Sequence, residues 1–158
     1  MKNPKLILLA IAFTTFALLG AALYLQFVEQ MRPCPWCIIQ RYAFAFTGLI
    51  CLIAAFLPNA ARRIGAGLGV LTSLAGAGAA GWLMWIQAHP EVSCGIDPVE
   101  TALNKIPPAK LLHFLFFADG ECTTAYPPLL GLSIPQWSFF WFVVFAIVLG
   151  WVIIKRNR

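Results

Sequence analysis

The sequence contains few charged residues for its length. Only 11% of its 158 residues are Asp, Glu, Lys or Arg, whereas 61% are apolar. A soluble domain of this size carries about 25% charged residues, so we expect this chain to lie in a lipid bilayer. Its net charge of +5 does not indicate nucleic-acid binding, because the basic residues lie between long apolar runs and not among aromatic residues on one polar face.

Several motifs of soluble enzymes and metalloproteins are also missing. No glycine-rich loop follows a predicted strand, which argues against a bound nicotinamide cofactor. A single C-x-x-C occurs, at residues 34–37, without the second pair that structural zinc sites usually present, so no metal is expected. His89 and His113 belong to no spaced ligand motif, and we expect both to lie at the membrane interface. The first predicted loop offers no histidine as the base of a cysteine hydrolase.

Four long apolar runs are present, and each is close to the ~20 residues that a membrane-spanning helix needs. We predict one integral membrane domain, residues 1–158, that is an all-α bundle of four transmembrane helices. The predicted spans are residues 6–27, 42–61, 64–87 and 137–154, and the predicted outer loops are residues 28–41 and 88–136. The first run is longer than the core of a cleaved signal peptide, so we expect it to be an anchor.

The charged residues are divided unequally between the predicted connections. Seven of the eleven basic residues lie at the two ends and in the second connection: Lys2, Lys5, Arg62, Arg63, Lys155, Arg156 and Arg158. All six acidic residues lie in the first and third connections. Because short cytoplasmic loops collect Lys and Arg, we predict that both termini are cytoplasmic and that the two other loops face outward.

The second outer loop contains its own helix signal. Asp97 can cap a helix, Pro98 suits the first helical position, Glu100 follows the cap by three residues, and Pro107 ends the pattern. An apolar stretch, LLHFLFF at residues 111–117, comes next. We therefore predict a short amphipathic helix that lies in the membrane interface.

Four of the five cysteines lie in the outer loops, where two disulfides can persist. A bridge from Cys34 to Cys37 would stabilise the fold by only about 1.9 kcal/mol, against about 3.6 kcal/mol for the longer loop from Cys94 to Cys122. C-x-x-C thiols exchange readily, which favours a redox role for the first pair. For the second pair a structural staple and a redox role both stay open. Cys51 lies within a span and is assigned no chemistry.

Arg41 follows Cys37 by four residues. If the second helix begins soon after Cys37, the two side chains share one helix face. The positive end of the helix dipole and the guanidinium would then both favour a Cys37 thiolate. Extension of Arg41 to the lipid headgroups is the alternative. An electron acceptor for such a thiol would have to come from the lipid, which is where a quinone resides.

Taken together, these features resemble the DsbB family of bacterial disulfide bond formation proteins. The resemblance is carried by the four spans, CPWCIIQR at residues 34–41, a cysteine pair in a long second outer loop, and LGLSIPQW at residues 130–137. It implies a protein-disulfide:quinone oxidoreductase of the bacterial inner membrane with its redox cysteines in the periplasm. Such a protein reoxidises a DsbA-like thioredoxin-fold dithiol oxidase and passes the electrons to ubiquinone or menaquinone.

The resemblance also implies roles for individual residues. It pairs Cys34 with Cys37 and Cys94 with Cys122 as disulfides. Cys94 would form the mixed disulfide with the partner, and Cys122 would be able to attack Cys34. Cys37 would face the quinone, with Arg41 supporting it. Gln40 precedes this arginine, at a position where some family members carry an acid.

Two other interpretations remain open from the sequence. The chain is also similar to vitamin K epoxide reductases, which combine quinone chemistry with a four-helix core, although those proteins place their C-x-x-C near the end of a late span. Alternatively, the protein is a non-catalytic membrane binding or assembly module whose disulfides only staple its loops.

Overall fold

The fold is an all-helical bundle in which four helices are long and apolar enough to cross a membrane. The computed structural model describes residues 4–91, 98–124 and 126–155. Its helices are α1 (Pro4–Phe27), α2 (Pro35–Phe56), α3 (Asn59–Ala88), α4 (Pro98–Lys105), α5 (Pro107–Leu111), α6 (His113–Phe116) and α7 (Ile134–Lys155). The long helices are α1, α2, α3 and α7. The predicted four-helix membrane fold, with a short helix in the second outer loop, is confirmed.

Helix α2 begins earlier than the predicted second span, which starts at residue 42. Pro35 occupies the first turn, where a backbone N–H would have no partner within the helix, so proline costs no hydrogen bond there. The Cys34 side chain caps the helix, since its Sγ accepts a hydrogen bond from the Cys37 backbone N–H at 3.3 Å. The predicted boundary follows the charge of Arg41, but one charged residue does not end a helix. Both Cys37 and Arg41 therefore lie inside α2.

The connection between α2 and α3 also lies earlier than predicted, before the arginine pair and not at it. Pro58 cannot continue α2, because it lacks an N–H and its ring restricts the preceding residue. The side chain of Arg62, in the first turn of α3, then donates hydrogen bonds from Nη2 to the Leu57 carbonyl at 2.9 Å and from Nε to the Ala54 carbonyl at 3.4 Å. The bond to Leu57 gives a donor to a carbonyl at the end of α2 that the helix itself does not pair. The Ala54 carbonyl also accepts from the Leu57 N–H at 3.3 Å, so there the arginine is a second donor.

The four long helices pack in the order α1, α2, α3, α7, while α1 and α7 make few contacts with each other. Small residues let α3 approach its neighbours closely, as expected where lipid supplies no hydrophobic drive to association. At Gly76 an added Cβ would collide with the buried ring of Phe142, which in turn stacks on Phe44 of α2 at 4.0 Å between ring centroids. Helix α3 therefore joins α2 to α7, whereas a cleft remains between α1 and α7.

The second outer loop folds back onto the start of α2. Ala109 and Phe116 pack against the fully buried side chain of Ile38. The Asn104 side chain acts like a strand partner for Ala118, accepting from its N–H and donating to its carbonyl, each at 3.0 Å. The segment that leads from α6 to Cys122 is thereby held close to the start of α2, where the C-x-x-C lies.

Candidate redox site

The two cysteines of the C-x-x-C form a hydrogen-bonded pair at the start of α2. Both are thiols, and the Cys34 Sγ donates to the Cys37 Sγ across 2.9 Å. Cys34 is 3% exposed, whereas Cys37 is half-buried one turn into the helix. The pair is thus asymmetric, with Cys34 as the donor on the loop side and Cys37 as the acceptor on the helix side.

Cys122 of the second outer loop lies against this pair. Its side chain is 1% exposed and packs with Cys34 beneath Leu83 and Ile86 of α3. A hydrogen bond to Cys122, a second to Cys37, and burial together raise the pKa of Cys34 well above its usual value. The structure therefore brings three of the four predicted redox cysteines together. Cys94 lies outside the described residues, so its pairing with Cys122 stays a prediction.

Backbone contacts between the two outer loops hold Cys122 in this place. The N–H groups of Asp119 and Gly120 both donate to the Pro33 carbonyl, at 3.2 and 3.1 Å. An added Cβ at Gly120 would overlap the carbonyl oxygen of Arg32. On the other side of the cysteine, the Tyr126 hydroxyl accepts from the Arg32 N–H at 2.9 Å. These contacts flank the second-loop cysteine and fix it against the segment that enters the C-x-x-C.

Arg41 lies one helical turn after Cys37 and is only 7% exposed. Its Nη1 donates to the Gln26 Oε1 at 2.7 Å and to the Leu115 carbonyl at 3.0 Å, and its Nη2 donates to the Ala22 carbonyl at 3.4 Å. The guanidinium therefore joins α1, α2 and α6. Extension to the headgroups, the alternative that the sequence left open, is not the conformation observed, because these bonds hold the side chain within the protein.

A cavity of about 410 Å³ lies in the cleft between α1 and α7. This volume is within the range of about 300–1,000 Å³ that small-molecule sites occupy. The wall formed by α2 follows helical spacing and consists of Cys37, Gln40, Arg41 and Phe44. Apolar side chains of α1 and α7 form the facing walls, including Leu18, Leu25, Trp137 and Trp141, and the outer end is lined by Cys34 and Cys122. Thiols, an arginine and apolar surface thus share one space.

Cys51 and the two histidines, His89 and His113, lie away from this cavity. Cys51 is fully buried in the core of the bundle. His89 stacks on Trp85 at 4.7 Å between ring centroids, and His113 stacks on Phe117 at 4.0 Å. None of the three lines the cavity.

Sequence reasoning did not identify several residues that shape the site. Gln26 is an isolated amide near the end of an apolar helix, and that isolation is a signal for polar contacts between membrane helices. Gly120 carries no local signal, because its role depends on the approach of Arg32 from a distant part of the chain. Gln40 is distinguished in the sequence only by its position beside Arg41.

Comparisons with known proteins agree on one family. The family model described as "Disulfide bond formation protein DsbB" matches residues 4–152. The "Disulfide bond formation protein B" of Herminiimonas arsenicoxydans is 61% identical over 149 residues, which cover 94% of this chain and 94% of that protein. Proteins of the same name from Ralstonia nicotianae and Cupriavidus metallidurans are 46% and 43% identical over 156 residues, which cover 99% of this chain and 98% and 96% of theirs. The similarity extends over all four long helices and both outer loops.

Proposed function

The chain belongs to the disulfide bond formation protein B family, and from this premise we propose that it transfers electrons from a DsbA-like dithiol protein to a membrane quinone. Membership makes it a multi-pass membrane protein with an oxidoreductase role in disulfide bond formation. The observation that carries the finer proposal is the cavity in the α1–α7 cleft, because its walls include three cysteine thiols and a buried arginine.

The cavity suits a quinone in size and chemistry. Its walls are largely apolar, and the polar groups of α2 are gathered at one side, as in sites where a few polar groups orient an apolar ligand. Arg41 would hold the ring from the α2 side, with Trp137 and Trp141 on the α7 side. When bound, a quinone supplies the oxidising capacity, since its conversion to the quinol takes up two electrons and two protons.

The cysteines would pass electrons by thiol–disulfide exchange. The partner's dithiol would reduce a Cys94–Cys122 disulfide through a mixed disulfide at Cys94, which releases Cys122 as the free thiol. Cys122 would then attack Cys34 in a Cys34–Cys37 disulfide, with Cys37 as the leaving sulfur. The partner's second thiol would displace Cys94 from the mixed disulfide, which forms the partner's own disulfide and leaves Cys94 as a free thiol. Attack by Cys94 on Cys122 would then release Cys34 and restore the second-loop disulfide. The net result is an oxidised partner and a reduced C-x-x-C that has two electrons and two protons to give up.

The observed contacts support this order of exchange. Cys122 packs against Cys34 in one buried cluster, which places the two sulfur-bearing side chains side by side for exchange. Cys37 accepts the hydrogen bond from Cys34, and it contributes to the cavity wall together with Arg41. The sulfur that leaves in the exchange is thus the one beside the acceptor site.

The same proposal includes an orientation in the bacterial inner membrane. Basic residues at both ends and at the start of α3 favour a cytoplasmic position for the termini and the α2–α3 turn. The two outer loops, with the C-x-x-C and the second cysteine pair, would then face the periplasm, where the soluble partner is found.

Reconstitution tests the proposal directly. The purified full chain in vesicles that contain ubiquinone or menaquinone should oxidise a reduced DsbA-like protein and consume one quinone per disulfide formed. Cys37→Ala should abolish this turnover, whereas Cys51→Ala, at the cysteine buried away from the cavity, should retain it. Unchanged turnover in Cys37→Ala would refute the proposal.

Thiol trapping separates the proposal from a purely structural role for the cysteines. When quinone is depleted, a redox-active Cys34–Cys37 pair should accumulate as free thiols that react with a maleimide. A structural staple would stay oxidised under the same conditions.

A further inference from the structure

Gln40 presents an unexplained polar group at the wall of the cavity. Its side chain is 4% exposed, and its Nε2 is buried without a hydrogen-bond partner among the residues that the structure describes. Buried amide donors are nearly always paired, because an unpaired one has lost its water without gaining another acceptor. Because Gln40 lines a cavity of ligand size, a ligand in that cavity can supply the missing acceptor.

The position of Gln40 on α2 relates this amide to the redox groups. It follows Cys37 by one turn and immediately precedes Arg41, and all three residues line the cavity. Arg41 already donates to the Gln26 Oε1 and to two backbone carbonyls. The amide nitrogen of Gln40 has no such partner among the described residues, so it is a buried donor on this wall that still requires an acceptor.

We propose that Gln40 is a ligand-binding residue whose amide N–H donates a hydrogen bond to a ring carbonyl oxygen of the bound quinone. This inference rests on the proposed function, since the quinone is the acceptor that function requires. A quinone carbonyl accepts hydrogen bonds and donates none, which matches an unpaired N–H. The terminal torsion of a glutamine is broad, so the amide can rotate toward a ligand while the backbone of α2 stays in place.

A binding measurement tests the inference without relying on turnover. A short-chain ubiquinone is titrated into the purified full chain while tryptophan fluorescence is followed, because Trp137 and Trp141 line the same cavity. Gln40→Met keeps the length of the side chain and removes both N–H donors. Loss of one hydrogen bond should raise the Kd for the quinone roughly three- to tenfold.

The matched control lies on the same helix. The Tyr42 hydroxyl is also buried without a partner among the described residues, but Tyr42 does not line the cavity. Tyr42→Phe should therefore leave the Kd for the quinone unchanged. Gln40→Asn keeps the amide but withdraws it by one methylene group, so it should also weaken binding, and it provides the same test if Gln40→Met does not fold in a thermal unfolding measurement.

The outcomes distinguish this inference from the function on which it rests. A wild-type chain that binds and reduces quinone, with variants of Gln40 that bind it within twofold of wild type, would overturn the role of Gln40 alone. A wild-type chain that binds no quinone would overturn both. Weaker binding in Gln40→Met and Gln40→Asn, but not in Tyr42→Phe, is the expected result.

Discussion

A methyl group at Gly120 should separate the two outer loops that bring Cys34 and Cys122 together. An added Cβ would overlap the Arg32 carbonyl oxygen and lie 2.8 Å from the Arg32 carbonyl carbon and 3.0 Å from that of Pro33. All of these atoms belong to the backbone, so no side chain can rotate away to make room. Gly120→Ala therefore requires the loops themselves to move apart.

The size of the effect follows from the contacts that this movement breaks. The N–H groups of Asp119 and Gly120 both donate to the Pro33 carbonyl. Each such bond contributes about 1 kcal/mol, so losing both lowers the equilibrium constant for loop docking by roughly 30-fold. Cys122 would then spend a smaller fraction of its time against Cys34, while the bundle below stays folded.

Disulfide formation between the two cysteines reports this docking. In a background with Cys37→Ala and Cys94→Ala, oxidised glutathione should convert Cys34 and Cys122 into a disulfide that peptide mass spectrometry quantifies. Gly120→Ala should slow its formation, by at most about 30-fold.

The control for this experiment is Gly20→Ala, because no heavy atom lies within 4 Å of a Cβ added at Gly20. It should leave the rate of disulfide formation unchanged. Equal rates in Gly120→Ala and in the parent protein would show that the position of Cys122 does not depend on this close approach, and would refute the reasoning.

Two further predictions concern the charge and the protons of the site. Cys122→Ala removes the largest cause of the raised pKa of Cys34, so alkylation of reduced Cys34 by iodoacetamide at pH 9 should become faster than in the wild type. The hydrogen bond to Cys37 and the burial of Cys34 remain, so the rate should stay below that of an exposed thiol; equal rates in the variant and the wild type would contradict the assignment. Arg41→Lys keeps the positive charge, but the lysine side chain cannot reach the three acceptors of Arg41 at once. The free energy of unfolding should fall by about 2 kcal/mol, which lowers the midpoint of thermal unfolding by several degrees; an unchanged midpoint would show that these hydrogen bonds contribute little.

Hydropathy and charge are sufficient to predict the four-helix membrane fold, because the length and apolar character of a span are local properties. The ends of the helices are not predictable in the same way. The start of α2 depends on a cysteine side chain acting as a cap, and its end depends on Pro58 and on the side chain of Arg62. Cysteine is not among the usual capping residues, so the charge of Arg41 is the more visible boundary in the sequence.

The site is predictable only where its residues are close in sequence. The four-residue spacing of Cys37 and Arg41 is enough to place them on one helix face. The approach of Cys122 to Cys34 is implied by family resemblance and cannot be inferred from spacing. The roles of Gly120 and Gln40 depend on tertiary packing. Gly120 is required because the backbone of Arg32 approaches it, and Gln40 is notable because its buried Nε2 has no partner among the described residues.

Arg41 has two roles in the structure that a single substitution would confuse. It places a positive charge at the cavity, and through the Leu115 carbonyl it also anchors the segment that leads to Cys122. Gln26 lines the cavity too but is uncharged, and it shares the anchoring role because it accepts from Arg41 and donates to the Phe114 carbonyl at 3.2 Å. Gln26→Leu therefore removes the part of this link that runs through Gln26 and leaves the positive charge and the bond from Arg41 to the Leu115 carbonyl in place. A slower thiol exchange seen in both Gln26→Leu and Arg41→Met would be mechanical in origin, whereas a weaker affinity for quinone confined to Arg41→Met would be electrostatic.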